Sequence, residues 1–135
     1  MGCSQSSAKR FEAATQYEKA RFRKRVYVGT VYDGDTFTVL CRMDGVDVKR
    51  KCRLKGVDTP EMKPALSLKG REDHIRRAKL AKAFVESQIL KKHVWLHVEG
   101  CDKYGRWLVT VGDLSAQLIQ RGHGYAYDGG TKEQP

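Results

Sequence analysis

Acidic residues are scarce: 16 Asp and Glu face 26 Lys and Arg, leaving a formal charge of +10. Such a chain repels cationic partners and concentrates polyanions, nucleic acid or acidic lipid, around itself. Cysteine is sparse as well. Cys3, Cys41, Cys52 and Cys101 form no C-x-x-C pair and lie far in sequence from His74, His93, His97 and His123, which argues against a zinc site and leaves thiols expected to stay reduced in the cytosol. No apolar stretch is long enough to span a bilayer and none resembles a signal-peptide h-region, so neither a transmembrane helix nor export by a signal peptide is expected. With 135 residues and no internal repeat, the chain has room for one core with tails and not for a second enzymatic domain.

What is present is patterned. Residues 1–25 are small, polar and then basic, with Phe11, Ala14 and Tyr17 the only hint of a helical stripe, and read as an arm outside the core. From Arg25 the apolar period becomes two: RVYVGTVY, TFTVLCR and VDVKRKCRL are three strands joined by turns at Asp33-Gly34-Asp35 and at Met43-Asp44-Gly45. REDHIRRAKLAKAFVESQIL carries Ile75, Ala78, Ala81, Phe84, Val85 and Ile89 on one face, which predicts a helix able to pack on a sheet. HVWLHVEG and RWLVTVGD are two further strands around CDKYG. SAQLIQRG is a short helix with Ser115 at its N-cap and Gly122 as its stop. The order βββ-α-ββ-α fits an α+β fold, a five-stranded barrel of the oligonucleotide-binding (OB) type over residues 26–128, with 129–135 as a tail.

Three short stretches exceed what that fold needs. Asp33-Gly34-Asp35 alone is an ordinary hairpin turn, and DKYGR at 102–106 alone is a solvated charged turn. In RLKGVDTPE, Arg53 ends an alternating strand and is followed by Asp58-Thr59-Pro60-Glu61, where Pro60 supplies no backbone donor and halts pairing. Together the stretches contain what phosphodiester hydrolysis requires. A phosphodiester is anionic, so a site must neutralise it, align it and activate a water. Arg53 and Arg106 suit phosphate clamping; Asp35, Asp58 and the Thr59 carbonyl are oxygen donors of the type a hard cation takes; Glu61 remains to orient or deprotonate the water.

DGDTF, RLKGVDTPE and DKYGR, in this order and spacing, resemble the staphylococcal-nuclease (thermonuclease) family across residues 26–122. The resemblance implies the five-stranded OB barrel and a calcium-dependent nuclease that cleaves DNA and RNA with little sequence preference. It implies one calcium ion on Asp35, Asp58 and the Thr59 carbonyl, with Arg53, Glu61 and Arg106 catalytic. It further implies that Lys103 and Tyr104 contact a terminal phosphate and that Tyr125 and Tyr127 line the nucleotide pocket; the alternative for the last two is aromatics closing the core. The stretch from Gly122 to Tyr125 is shorter than the family pattern, and with so few residues after Tyr127 the family's third, C-terminal helix is not expected.

MGCSQS fits the M-G-x-x-x-[ST] acceptor pattern for myristoylation at Gly2, with Cys3 placed for palmitoylation and a basic run (Lys9, Arg10, Lys19, Arg21, Arg23, Lys24, Arg25) behind them. The expectation is a cytoplasmic protein anchored to the cytosolic face of an anionic membrane; the alternative is a basic arm that adds affinity for nucleic acid. Three functions compete: a nuclease acting on single strands or frayed duplex, a non-catalytic OB-fold nucleic-acid-binding module, and a lipid-surface adaptor. The last leaves the paired acids without a role.

Overall fold

The computed structural model describes residues 6–13 and 21–127; Gly2, Cys3 and the 129–135 tail lie outside the described residues. Its elements, in chain order, are α1 (Ser7–Ala13), β1 (Phe22–Asp33), β2 (Thr36–Met43), β3 (Val46–Leu54), β4 (Gly56–Asp58), α2 (Arg71–Ile89), β5 (His93–Cys101), β6 (Trp107–Thr110), α3 (Leu114–Gln120) and β7 (Tyr125–Tyr127). The expected barrel is there. Five strands close in the order β1-β2-β3-β6-β5, all neighbours antiparallel except β3 and β6. Among the described residues no helix is long and apolar enough to cross a membrane.

Alternation places one side of each strand inside. Val26, Val28 and Val31, Phe37, Val39 and Cys41, Cys52 and Leu54, Leu96 and Val98, and Trp107 and Val109 fill the barrel. Burial pushes the Cys52 thiol up to about 12, so it behaves as a small apolar filler. Arg50, on the same side of β3, lays its guanidinium 4.8 Å from the centre of the Trp107 ring. α2 is built from good helix formers and buries Ala78, Ala81, Val85 and Ile89; the two alanines let it approach closely.

Four details differ from the sequence reading. β1 begins at Phe22, three residues before the strand start expected at Arg25, because it pairs with β5 from Phe22↔Val98 onward and Phe22 packs edge-on against Trp107 at 5.4 Å. A helix forms in the arm at α1, where only a weak stripe was visible. The second, two-stranded sheet of β4 and β7 was not foreseen, since three residues carry no readable period. Ser115 is not the N-cap of α3. Asp113 is, its carboxylate accepting from Gln117 Nε2 at 2.6 Å, and the Ser115 hydroxyl donates instead to the Lys55 carbonyl at 2.8 Å.

Candidate functional site

Among the described residues, the buried polar and charged side chains are Asp33, Asp35, Arg53, Asp58 and Thr59, and all five line one cleft. Buried charge is costly unless partnered, so its confinement to one place calls for a specific network there. The β2–β3 register sets Arg53 opposite Thr36, next to Asp35, while Pro60 ends the segment that carries Asp58 and Thr59. Gly34 closes the assembly: a Cβ there would lie 2.9 Å from Ala81 Cβ and from both Thr59 side-chain branches, so only glycine lets the turn seat against α2 and Thr59. Gly124 does the same for β7, where a Cβ would come within 2.8 Å of the Asp58 carbonyl.

Arg53 is the hub. Its Nη1 donates to the carbonyls of Leu54 (2.9 Å) and Val57 (2.8 Å) and lies 3.3 Å from Asp35 Oδ2, and its Nη2 donates to Asp58 Oδ1 at 3.2 Å. Two carboxylates from separate segments therefore share one guanidinium. Thr59 adds its N–H (3.0 Å) and hydroxyl (3.1 Å) to Asp35 Oδ2, and the Thr36 hydroxyl donates to Asp35 Oδ1 at 2.9 Å. Burial opposes the charge on Asp35, but Arg53, a side-chain hydrogen bond from Asp33 and the Thr59 and Thr36 donors outweigh it and hold the carboxyl below its ordinary range.

Asp33 is the residue the sequence reading passed over. Burial, then the neighbouring Asp35 charge, pushes its carboxyl up to about 7. Its Oδ1 accepts the Asp35 N–H at 3.2 Å, which favours the carboxylate but is outweighed, and two acids two residues apart are driven in opposite directions. The D-x-D spacing was the available signal; the burial was not readable.

The cleft measures about 1280 Å³ and is also walled by Glu61, Arg106, Lys103, Tyr104 and Tyr127, with Lys51, Lys55, Lys63 and Lys82 making it basic. Its size exceeds the roughly 300–1,000 Å³ usual for a small-molecule pocket, which suits an extended anionic ligand. Arg106 is fixed by Asp102: its Nε donates to Oδ2 at 2.6 Å, while the N–H groups of Arg106 (3.0 Å) and Tyr104 (2.9 Å) bind Oδ1. Against the pull of burial, these contacts hold the Asp102 carboxyl below its usual range. Tyr104 is 72% exposed, with the Lys103 ammonium 5.2 Å and the Arg106 guanidinium 5.5 Å from its ring centre. Glu61 sits on the exposed rim, where its N–H donates to His74 Nε2 of α2 at 3.1 Å, a tether across 13 residues with no sequence signal.

Nine of the ten residues expected at the site thus line one cleft. Tyr127 is among them, its ring centre 5.7 Å from the Arg53 guanidinium carbon. Tyr125 is not; it pairs with Asp58 in the small sheet. Among the described residues no three His, Cys, Asp or Glu side chains are grouped to hold a metal.

A family model described as "Staphylococcal nuclease homologue" matches residues 51–134, from within β3 onward. The match takes in Arg53, Asp58, Thr59, Glu61 and Arg106 and begins after Asp33 and Asp35. No curated protein matches the chain.

Proposed function

Since this chain belongs to the staphylococcal nuclease homologue family, we propose that it is a calcium-dependent, sugar-nonspecific nuclease that hydrolyses phosphodiester bonds in DNA and RNA. The observation that carries this reading is the confinement of the buried charges to one basic cleft shared with Glu61 and Arg106. The donor chemistry fits calcium. Asp35, Asp58 and the Thr59 carbonyl would hold the ion, all hard oxygens, and two carboxylates against the single Arg53 guanidinium leave that cluster at net −1. When bound, the ion would supply Lewis-acid stabilisation of the phosphoryl oxygens.

The chain's own groups do the rest. Arg53 and Arg106 face the anionic diester from two walls and stabilise charge that grows on its oxygens. Asp102 keeps the Arg106 fork from swinging away. Glu61, on the rim and tethered through its backbone to His74, accepts a proton from the attacking water; the water oxygen bonds phosphorus as the bond to the leaving sugar oxygen breaks. Tyr127 and Tyr104 offer aromatic faces to the sugar or base, and Lys103 a charge to a terminal phosphate.

The competing reading, an OB-fold module that binds without cutting, leaves Glu61 and the Asp102–Arg106 clamp without a task. Incubating the protein with single-stranded DNA, duplex DNA and RNA separates the two. Cleavage of both sugars in calcium and none in chelator is expected; binding without cleavage in any metal would favour the module.

The arm carries a further proposal: acylation at Gly2 and Cys3 anchors the protein to an anionic membrane on its cytosolic face. A Gly2→Ala protein should then move from the membrane to the soluble fraction of eukaryotic cells, and a wild type already soluble there would reject the anchor.

A further inference from the structure

The outer surface of β1 does not end at the cleft. Tyr32 and Thr30 line the cleft, and the same outward side continues through Tyr27, Arg25 and Arg23 to Arg21. The irregularity between Val28 and Thr30 keeps both Gly29 and Thr30 outward without breaking the series. Beside it runs the outward side of β5, with His93 opposite Tyr27, Trp95 opposite Arg25 and His97 opposite Arg23.

The chemistry of this face is specific. Trp95 is 53% exposed although the other tryptophan, Trp107, is buried at 1%. The Arg23 guanidinium lies 5.1 Å from the centre of the Trp95 ring, and the Tyr27 and His93 rings meet at a tilt of 57° with their centres 5.3 Å apart. Glu99 is the one acid on the outward side of these two strands over this stretch, and it is already paired with Arg21 (3.9 Å) and with Lys55 (3.7 Å) of the cleft wall. A shallow dent of about 260 Å³ lies between Arg21, Arg23, His97 and Glu99. Flat aromatic faces interleaved with arginines are what a single-stranded polynucleotide binds: bases stack while guanidiniums meet phosphates. A lipid surface would call for several exposed aliphatic side chains; among the exposed large hydrophobics β1 and β5 carry none, and Leu40 of β2, opposite Tyr27, is the one that borders this face.

We propose that the outer face of β1 and β5 is a second nucleic-acid subsite, a track on which a single strand leaving the cleft over Tyr32 and Thr30 stacks on Trp95 and pairs its phosphates with Arg23 and Arg25. This rests on the nuclease reading for the cleft. From Thr30 to Arg23 the strand contour is about 23 Å, and with the cleft the track accommodates several nucleotides, within the roughly 4–16 that one OB fold covers. It lies apart from the β2–β3 face by which OB folds usually take oligonucleotides.

The test is a fluorescence titration of the full chain with a 15-nucleotide oligothymidylate in chelator, where no cleavage is needed. Trp107 is buried, so quenching reports on Trp95. The expected result is saturable quenching, with Trp95→Ala and an Arg23→Ser/Arg25→Ser variant each binding the 15-mer about tenfold or more weakly by anisotropy. The arginine variant should also lower the salt slope by about 0.7 per residue. Both variants should bind a trinucleotide as wild type does, and far-ultraviolet circular dichroism should confirm that they fold. Wild-type affinity of both variants for the 15-mer overturns the track, as does Trp95 quenching by acidic phospholipid vesicles but not by the 15-mer. Quenching and weakened variants without cleavage in any metal would leave the track standing and reject the nuclease reading.

Discussion

Asp33→Asn in the ion-free protein isolates the electrostatic feature least expected from the sequence. The Asp33 carboxyl titrates at about 7 in the folded protein against 3.8 as an ordinary aspartate. Over the interval between those values the folded state binds a proton that the unfolded state has lost, so the free energy of unfolding must fall as pH rises, and the contribution of Asp33 is gone once pH passes about 7. Roughly three pH units at 1.36 kcal/mol each set a ceiling of about 4 kcal/mol. Asp35, held low beside it, shares the charge, so about 1–3 kcal/mol of loss is expected between pH 5 and pH 8. Asparagine keeps the Oδ1 that accepts the Asp35 N–H, and its amide can donate toward Asp35 as the protonated carboxyl does. The variant should match wild type within about 1 kcal/mol at pH 5 and exceed it at pH 8, a midpoint gain on the order of 5–10 °C for a domain this size. Thermal unfolding in chelator at several pH values reads this directly. Parallel curves for the two proteins, or a variant that is less stable at pH 8, would refute the coupling.

Arg53→Lys keeps the charge but loses the fork that joins two carbonyls and two carboxylates, so stability should drop by about 1–3 kcal/mol in urea unfolding. Turnover should fall about 10²–10³-fold, measured where the variant is fully folded; unchanged turnover would show that bidentate clamping is not used. His74→Ala removes the acceptor of the Glu61 N–H and should lower kcat up to about tenfold with KM unchanged, while His74→Gln, which still accepts, restores part of it. A kcat untouched by His74→Ala would mean that the tether does not position Glu61.

Strand periodicity was enough to read the barrel, because each of its long strands has one buried side; Phe37, Val39 and Cys41 on β2 show this plainly. β4 and β7 were not legible because three residues show no period, and their pairing depends on a contact between distant segments allowed by Gly124. Ser115 fits the N-cap pattern, but its hydroxyl is drawn to the Lys55 carbonyl, sixty residues away. At the site, motif spacing identified the side chains that meet, including Arg53 beside Asp35 and Asp58. It said nothing of Arg53 bridging both carboxylates and two carbonyls through Nη1 and Nη2, of Asp33 being buried with Asp35, or of Asp102 fixing Arg106. Tyr125 and Tyr127 look equivalent in sequence; only the second lines the cleft.

The proposal that Asp35 and Asp58 hold one cation beside two phosphate-binding arginines is tested most directly by the calcium dependence of the initial cleavage rate, measured on single-stranded DNA for wild type and Asp58→Asn. A rate rising from zero to saturation along a one-site curve, shifted to much higher calcium in the variant, is the expected result. A rate that ignores calcium, or a variant with the wild-type midpoint, would contradict it.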